Sequence, residues 1–226
     1  IVMENQSTLS NKQKRQFAFV TFLTFVRAPL ILIAGIMAIY NAFCPSNAML
    51  YSSLILMCLS AFTDLFDGKL ARKWNVTSKF GALADPLMDK AFFAVVFPSA
   101  TFIALYLYCQ ARSNTLLIQA IILLAIDVIA LLRDHWVTFM RVVGSDFGAD
   151  VKAAFIGKLR TFIGFPIMIF VHWYLGCQAI PNAIKIGQTV PLVLELSFLA
   201  ITIISTITYT RDYLPYLRMA GPQNKV

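Results

Sequence analysis

Four aspartates stand where an apolar chain tolerates them least: Asp64, Asp67, Asp85 and Asp89, two on each side of one polar segment. An ionised carboxylate inside an apolar helix costs roughly 2.5–3.5 kcal/mol on membrane-insertion scales, so four together demand compensation. On a helix turning 100° per residue, Asp64 and Asp67 lie about 60° apart. Gly68 and Ala71 fall on the same face, one and two turns after Asp64. Asp85 and Asp89 are one turn apart, with Gly81 a turn earlier and Pro86 tolerated in or near a first turn. A helical hairpin therefore aims four carboxylates at one point. Hard divalent cations take such all-oxygen ligands, and magnesium commonly pairs a few carboxylates with substrate phosphates. Two ions would balance the four formal negative charges. Gly68, Ala71 and Gly81 are small enough to admit a ligand or a close helix approach. The plainer reading has these aspartates capping helices or pairing with Lys69, Arg72 and Lys90, which suits one such residue better than all four.

A second region carries cations. Arg133, Asp134, His135 and Arg141 are followed by Gly157, Lys158, Arg160 and Thr161. Arg133 and Arg141, eight residues apart, share a helix face. Lys158 and Arg160 open the next apolar span, where a helix amino terminus, cations and the Thr161 hydroxyl form a natural anion site. Flanking charge alone would also account for Lys158 or Arg160, but Arg133 lies deep in its span. His135 reads as satisfied by local hydrogen bonds, with a place in the acceptor site as the alternative, and His172 and Asp127 as structural. Glu195 has no partner assignable from sequence.

The elements that must position these groups follow from composition. The chain has 226 residues, 59% hydrophobic and only 13% charged, with a mean hydropathy of +0.73. Soluble domains run about 45–50% apolar and about 25% charged, so an ordinary cytosolic globule is excluded, as is a disordered chain. At roughly 20 residues per crossing, six transmembrane helices consume the sequence. They are expected near 17–43, 49–66, 83–108, 116–140, 153–175 and 189–209. The expected organisation is a cytoplasmic segment 1–16, a six-helix membrane domain 17–215 and a cytoplasmic tail 216–226. With alternating crossings, thirteen Lys and Arg gather on the side of both termini and two, Arg112 and Lys185, on the other, so both termini are expected in the cytoplasm. No secretory signal is expected, because the first fifteen residues are polar and the apolar run after them is too long. The net charge of +8 suits anionic lipid headgroups, and no nucleic-acid partner is expected. Four separated cysteines without a CxxC indicate neither a zinc site nor a disulfide framework.

The run Asp64-x-x-Asp67-Gly68-x-x-Ala71-Arg72, eight residues, then Gly81-x-x-x-Asp85-x-x-x-Asp89 resembles, without a gap, the signature of the CDP-alcohol phosphotransferase family. That resemblance implies an all-α, six-helix membrane enzyme that transfers a phosphatidyl group from CDP-diacylglycerol to an alcohol and releases CMP. It further implies that Asp64, Asp67 and Asp85 hold two Mg²⁺ or Mn²⁺ ions. Asp89 would take the proton of the attacking hydroxyl and also touch a metal. Thr63, Asp67, Gly68, Ala71, Arg72 and Gly81 would face the CDP-lipid, at the cytoplasmic side of a bacterial inner membrane. Dimerisation is common in that family, which makes a homodimer an expected assembly.

The cationic stretches are similar to the phosphatidylglycerophosphate synthase branch of that family, with Arg160 where the branch has a second Lys. The acceptor implied is glycerol 3-phosphate, its dianion met by Arg133, Arg141, Lys158, Arg160 and Thr161. Cardiolipin synthases carry a similar segment, typically with Asn at the position of Arg160. Phosphatidylserine and inositol-phosphate lipid synthases share the aspartates and differ in acceptor. In the first span Thr24 and Arg27 match the branch, but Val20 and Thr21 stand where it has Pro-Asn. From another class, a divalent-cation transporter would also use intramembrane acids, but nearer the midplane and with an exit on the far side.

Overall fold

The computed structural model describes residues 10–149 and 155–220, except the side chains of Leu65, Lys79, Phe80, Ala82, Leu83, Asp85 and Pro86. Lys152, Lys225 and most of the expected terminal segments therefore lie outside the described residues. Six helices carry nearly all of the rest: α1 (Asn11–Phe43), α2 (Asn47–Lys73), α3 (Lys79–Ala111), α4 (Asn114–Asp146), α5 (Phe155–Ala179) and α6 (Thr189–Ala220). Among the described residues there is no strand. Each helix contains a stretch long and apolar enough to cross a membrane. Their uncovered side chains include Phe22, Ile36, Leu132, Phe162 and Ile207, all more than half exposed. Water would penalise such a surface, whereas lipid tails solvate it. The protein is an all-α, multi-pass integral membrane protein.

The helices outrun the apolar spans. At about 1.5 Å per residue, the 33 residues of α1 reach about 50 Å, against a hydrocarbon core of about 30 Å. α2 continues past residue 66 through Asp67, Gly68 and Ala71 to Lys73, and α4 continues to Asp146. α1 starts before residue 17 and α6 runs beyond 215. The backbone ladder needs no apolar side chain, so a helix stops at a capping signal rather than where hydropathy falls. In α2 that signal is Asn75, at φ 52°. Val76 N–H donates to the Ala71 carbonyl at 3.0 Å and Asn75 N–H to the Arg72 carbonyl at 3.3 Å, a Schellman turn. Gly148, at φ 77°, ends α4 in the same way. Ser78 then opens α3, its hydroxyl oxygen accepting from Gly81 N–H at 3.0 Å.

The chain divides into two units, Ile1–Ser99 and Ala100–Val226, with the break inside α3. In the first, α1 packs along α2 around Ile31, Ala34, Leu50, Met57, Phe92 and Phe97, all buried. A methyl on Gly35 would lie 2.8 Å from Val95 Cγ1, so only glycine lets α1 approach α3 this closely. Two turns earlier on α1, that approach puts Arg27 within reach of α3. In the second unit α6 packs against α4 and α5, burying Leu123, Ile126, Met168, Val171, Leu175 and Phe198. Val137 and Met140 of α4 meet Tyr209 and Tyr213 of α6.

Candidate active site

In the first unit the carboxylates of Asp64 and Asp67 from α2 and of Asp89 from α3 converge on one group, the Arg27 guanidinium of α1. Nη1 bonds Asp64 Oδ1 and lies 3.4 Å from Asp89 Oδ1. Nη2 donates to Asp67 Oδ2 at 3.1 Å, and Nε to the Thr24 carbonyl at 3.2 Å. Asp67 is the most enclosed of these three acids. Gly68 N–H donates to its Oδ1 at 2.6 Å, and the Thr24 hydroxyl donates to Oδ2 at 3.0 Å. Side-chain exposure rises from 3% at Asp67 to 23% at Asp64 and 30% at Asp89, so the last two are partly accessible. Asp85 lies on α3 one turn before Asp89, but its side chain is outside the described residues.

Beside the acids is a cavity of about 190 Å³, walled by Thr21 and Thr24 of α1, by Asp67, Gly68, Ala71 and Arg72 of α2, and by Val76, Ser78 and Gly81 beyond them. The overrun of α2 and its Schellman turn thus form the cavity wall. Five sequence-derived residues, Asp67, Gly68, Ala71, Arg72 and Gly81, line one space. Thr63 is not part of that wall, and its hydroxyl donates to the Ser60 carbonyl at 2.8 Å. Asp64, Asp67 and Asp89 share a cation from another helix. Their cation comes from α1.

Among the described residues no three His, Cys, Asp or Glu side chains are set around a common ion position. The donor chemistry nonetheless fits a hard divalent cation, because three carboxylates from two helices already surround one cationic group. The same oxygens can serve a metal ion or a guanidinium.

The cationic residues of the second unit are also drawn together, around an acid. Asp134 Oδ1 accepts from Arg133 Nη1 at 2.8 Å and from Arg160 Nη1 at 3.0 Å. α6 supplies the rest of the cradle. Ser205 accepts from Arg133 Nη2, and Tyr209 lies under that guanidinium at 5.2 Å. Thr202 accepts from Arg160 Nε at 3.2 Å, and Phe198 lies under it at 5.2 Å. Two guanidiniums share one carboxylate, which leaves the cluster electropositive. Arg133 Nε is buried with no hydrogen-bond partner among the described residues, an orphan donor of the kind an anion satisfies. Arg141 is half-buried on α4 and Lys158 is exposed. The Thr161 hydroxyl donates to the Gly157 carbonyl at 3.4 Å.

Sequence reasoning missed the roles of Arg27, Thr24 and the α6 stripe. The signal for Arg27 was present: α1 carries no acid, so a buried arginine on it must find its partner on another helix. His135 bonds the Leu131 carbonyl at 2.8 Å, the local bond expected of it, and the buried His172 bonds that of Met168 at 3.0 Å. Glu195 meets Gln119 of α4.

These features match one family along most of the chain. The CDP-alcohol phosphatidyltransferase model covers residues 18–208, and the chain belongs to that family; it is a transferase of phospholipid biosynthesis, and the family is generally divalent-metal dependent. Among its relatives is the CDP-diacylglycerol--glycerol-3-phosphate 3-phosphatidyltransferase of Escherichia coli (strain K12), 28% identical over 158 residues, 70% of this chain and 78% of that protein. Proteins of the same description from Escherichia coli O157:H7 and Shigella flexneri serotype 5b (strain 8401) match with the same identity and coverage.

Proposed function

We propose that the chain transfers the phosphatidyl group of CDP-diacylglycerol to glycerol 3-phosphate, releasing CMP, at the cytoplasmic face of the membrane. The observation that carries this reading is the convergence of Asp64, Asp67 and Asp89 beside a cavity walled by Gly68, Ala71, Arg72 and Gly81. The cavity takes the cytidine end of the lipid, with Gly68 and Gly81 leaving space and Arg72 offering charge. Asp64, Asp67 and Asp85 would hold two divalent ions, which when bound supply neutralisation of the diphosphate charge.

Asp89, the most exposed acid of the three, accepts the proton of the acceptor hydroxyl. That hydroxyl oxygen forms a bond to the phosphatidyl phosphorus as the bond from phosphorus to the CMP oxygen breaks. CMP leaves with the electron pair. The phosphate of the acceptor is met by Arg133 and Arg160, with Arg141, Lys158 and Thr161 adding to the same cationic region. The single carboxylate between two guanidiniums favours a dianionic acceptor over an alcohol without a phosphate monoester. The E. coli relative, named for glycerol 3-phosphate, supports the same choice.

The test is CMP release by purified protein given CDP-diacylglycerol, Mg²⁺ and one alcohol at a time. Release is expected with glycerol 3-phosphate. Release with phosphatidylglycerol but not with glycerol 3-phosphate overturns the acceptor, and release with neither overturns the reading.

A further inference from the structure

Arg27 belongs to neither helix of the acid hairpin, yet its guanidinium holds the oxygens that a metal ion would need. We infer that Arg27 is a built-in counter-ion that competes with divalent cations for Asp64, Asp67 and Asp89. The inference rests on the proposed metal role of those carboxylates and concerns a residue outside the acid motif.

The geometry makes competition unavoidable. Both oxygens of Asp67 already accept bonds, Oδ1 from Gly68 N–H and Oδ2 from Arg27 and Thr24. Arg27 Nη1 engages Asp64 Oδ1 and Asp89 Oδ1 together. A cation entering among these oxygens either takes one from the guanidinium or sits within a few ångströms of its charge. Arg27 is only 3% exposed, so water does little to screen it from an incoming ion. Even at water's dielectric constant, a unit charge about 5 Å from a divalent ion weakens its binding on the order of tenfold. The guanidinium also offsets the mutual repulsion of three clustered carboxylates. One side chain therefore stabilises the cluster without metal and opposes metal entry.

The experiment measures Mn²⁺ binding to the purified full chain, without CDP-lipid, from the electron paramagnetic resonance signal of free Mn²⁺. Thermal melting in chelator and in Mn²⁺ runs alongside. Arg27→Met removes the charge at similar volume. It is expected to bind Mn²⁺ about tenfold more tightly, to melt below wild type in chelator, and to regain most of the difference in Mn²⁺. Arg27→Lys keeps the charge and is expected to stay within about threefold of wild-type affinity. Should the Met variant fail to fold, Arg27→Gln retains N–H donors without charge and gives the same readout. Equal or weaker Mn²⁺ binding by the neutral variants overturns the inference. A wild-type chain that binds no Mn²⁺ overturns the metal reading itself.

Discussion

Asp134→Asn is the sharpest perturbation of the second unit, because one carboxylate serves two buried cations. The side chains of Arg133, Asp134 and Arg160 are 9%, 10% and 3% exposed. Both bonds go to the one oxygen Oδ1, so an asparagine can keep a carbonyl oxygen there but brings no negative charge to the two guanidiniums. Hydrogen bonds to charged groups contribute about 1.5–3 kcal/mol each, and removing one partner of a buried pair costs about 3–5 kcal/mol. The hydroxyls of Ser205 and Thr202 and the rings of Tyr209 and Phe198 remain on the guanidiniums. The expected cost therefore falls near the lower bound, about 3 kcal/mol. For a chain of this size that corresponds to about 6–12 °C in melting temperature. Thermal melting of the detergent-purified protein reads it directly. Glycerol 3-phosphate should stabilise Asp134→Asn more than wild type, since its phosphate replaces the lost negative charge. Adding Arg160→Met should recover part of the loss, with a coupling of about 1 kcal/mol or more in the double-mutant cycle. A shift below about 3 °C, or strict additivity with Arg160→Met, refutes the shared-carboxylate argument.

Asp89→Asn is expected to abolish CMP release while retaining Mn²⁺ binding, weakened on the order of tenfold by the loss of one nearby charge; unchanged turnover would remove Asp89 from the role of base. Lys158→Ala and Arg160→Ala should both raise KM for glycerol 3-phosphate more than KM for CDP-diacylglycerol. Only Arg160→Ala should also lower the melting temperature, because Lys158 is exposed while Arg160 is buried against Asp134. Equal effects on the two KM values would indicate a structural role instead. A methyl on Gly157 would lie 2.8 Å from Tyr209 Oη and 3.4 Å from Arg133 Nη2. Gly157→Ala should therefore cost about 1–3 kcal/mol by overpacking and raise the acceptor KM as Tyr209 shifts from under Arg133. Gly187→Ala, whose methyl meets nothing within 4 Å, serves as the control, and matching KM values in the two variants would remove Tyr209 from positioning Arg133.

The helix ends show how far local signals reach. Hydropathy placed the six crossings, but it would end α2 near residue 66, before Asp67 and the cavity wall. The stop is written at Asn75, whose left-handed backbone closes the Schellman turn, and the same role falls to Gly148 after α4. Both signals lie in the sequence, though they belong to capping rather than to apolarity. Asp64, Asp67 and Asp89 could be brought together from spacing alone because a tight hairpin joins their helices. Thr63 shows the opposite case, as its adjacency to Asp64 says nothing about which way its hydroxyl turns.

What the residues alone determined was the membrane class, the six helices and the need of each intramembrane charge for a partner. Those follow from transfer free energies, which depend on composition and on nearest-neighbour spacing. What only the tertiary structure decided was which partner each charge obtained. Arg27 meets acids 37, 40 and 62 residues away, and Asp134 meets Arg160 at a separation of 26. Water exclusion makes pairing obligatory, but the choice depends on how neighbouring helices are rotated and how closely small residues such as Gly35 let them approach. Helical periodicity along one segment carries no record of the rotation of the next.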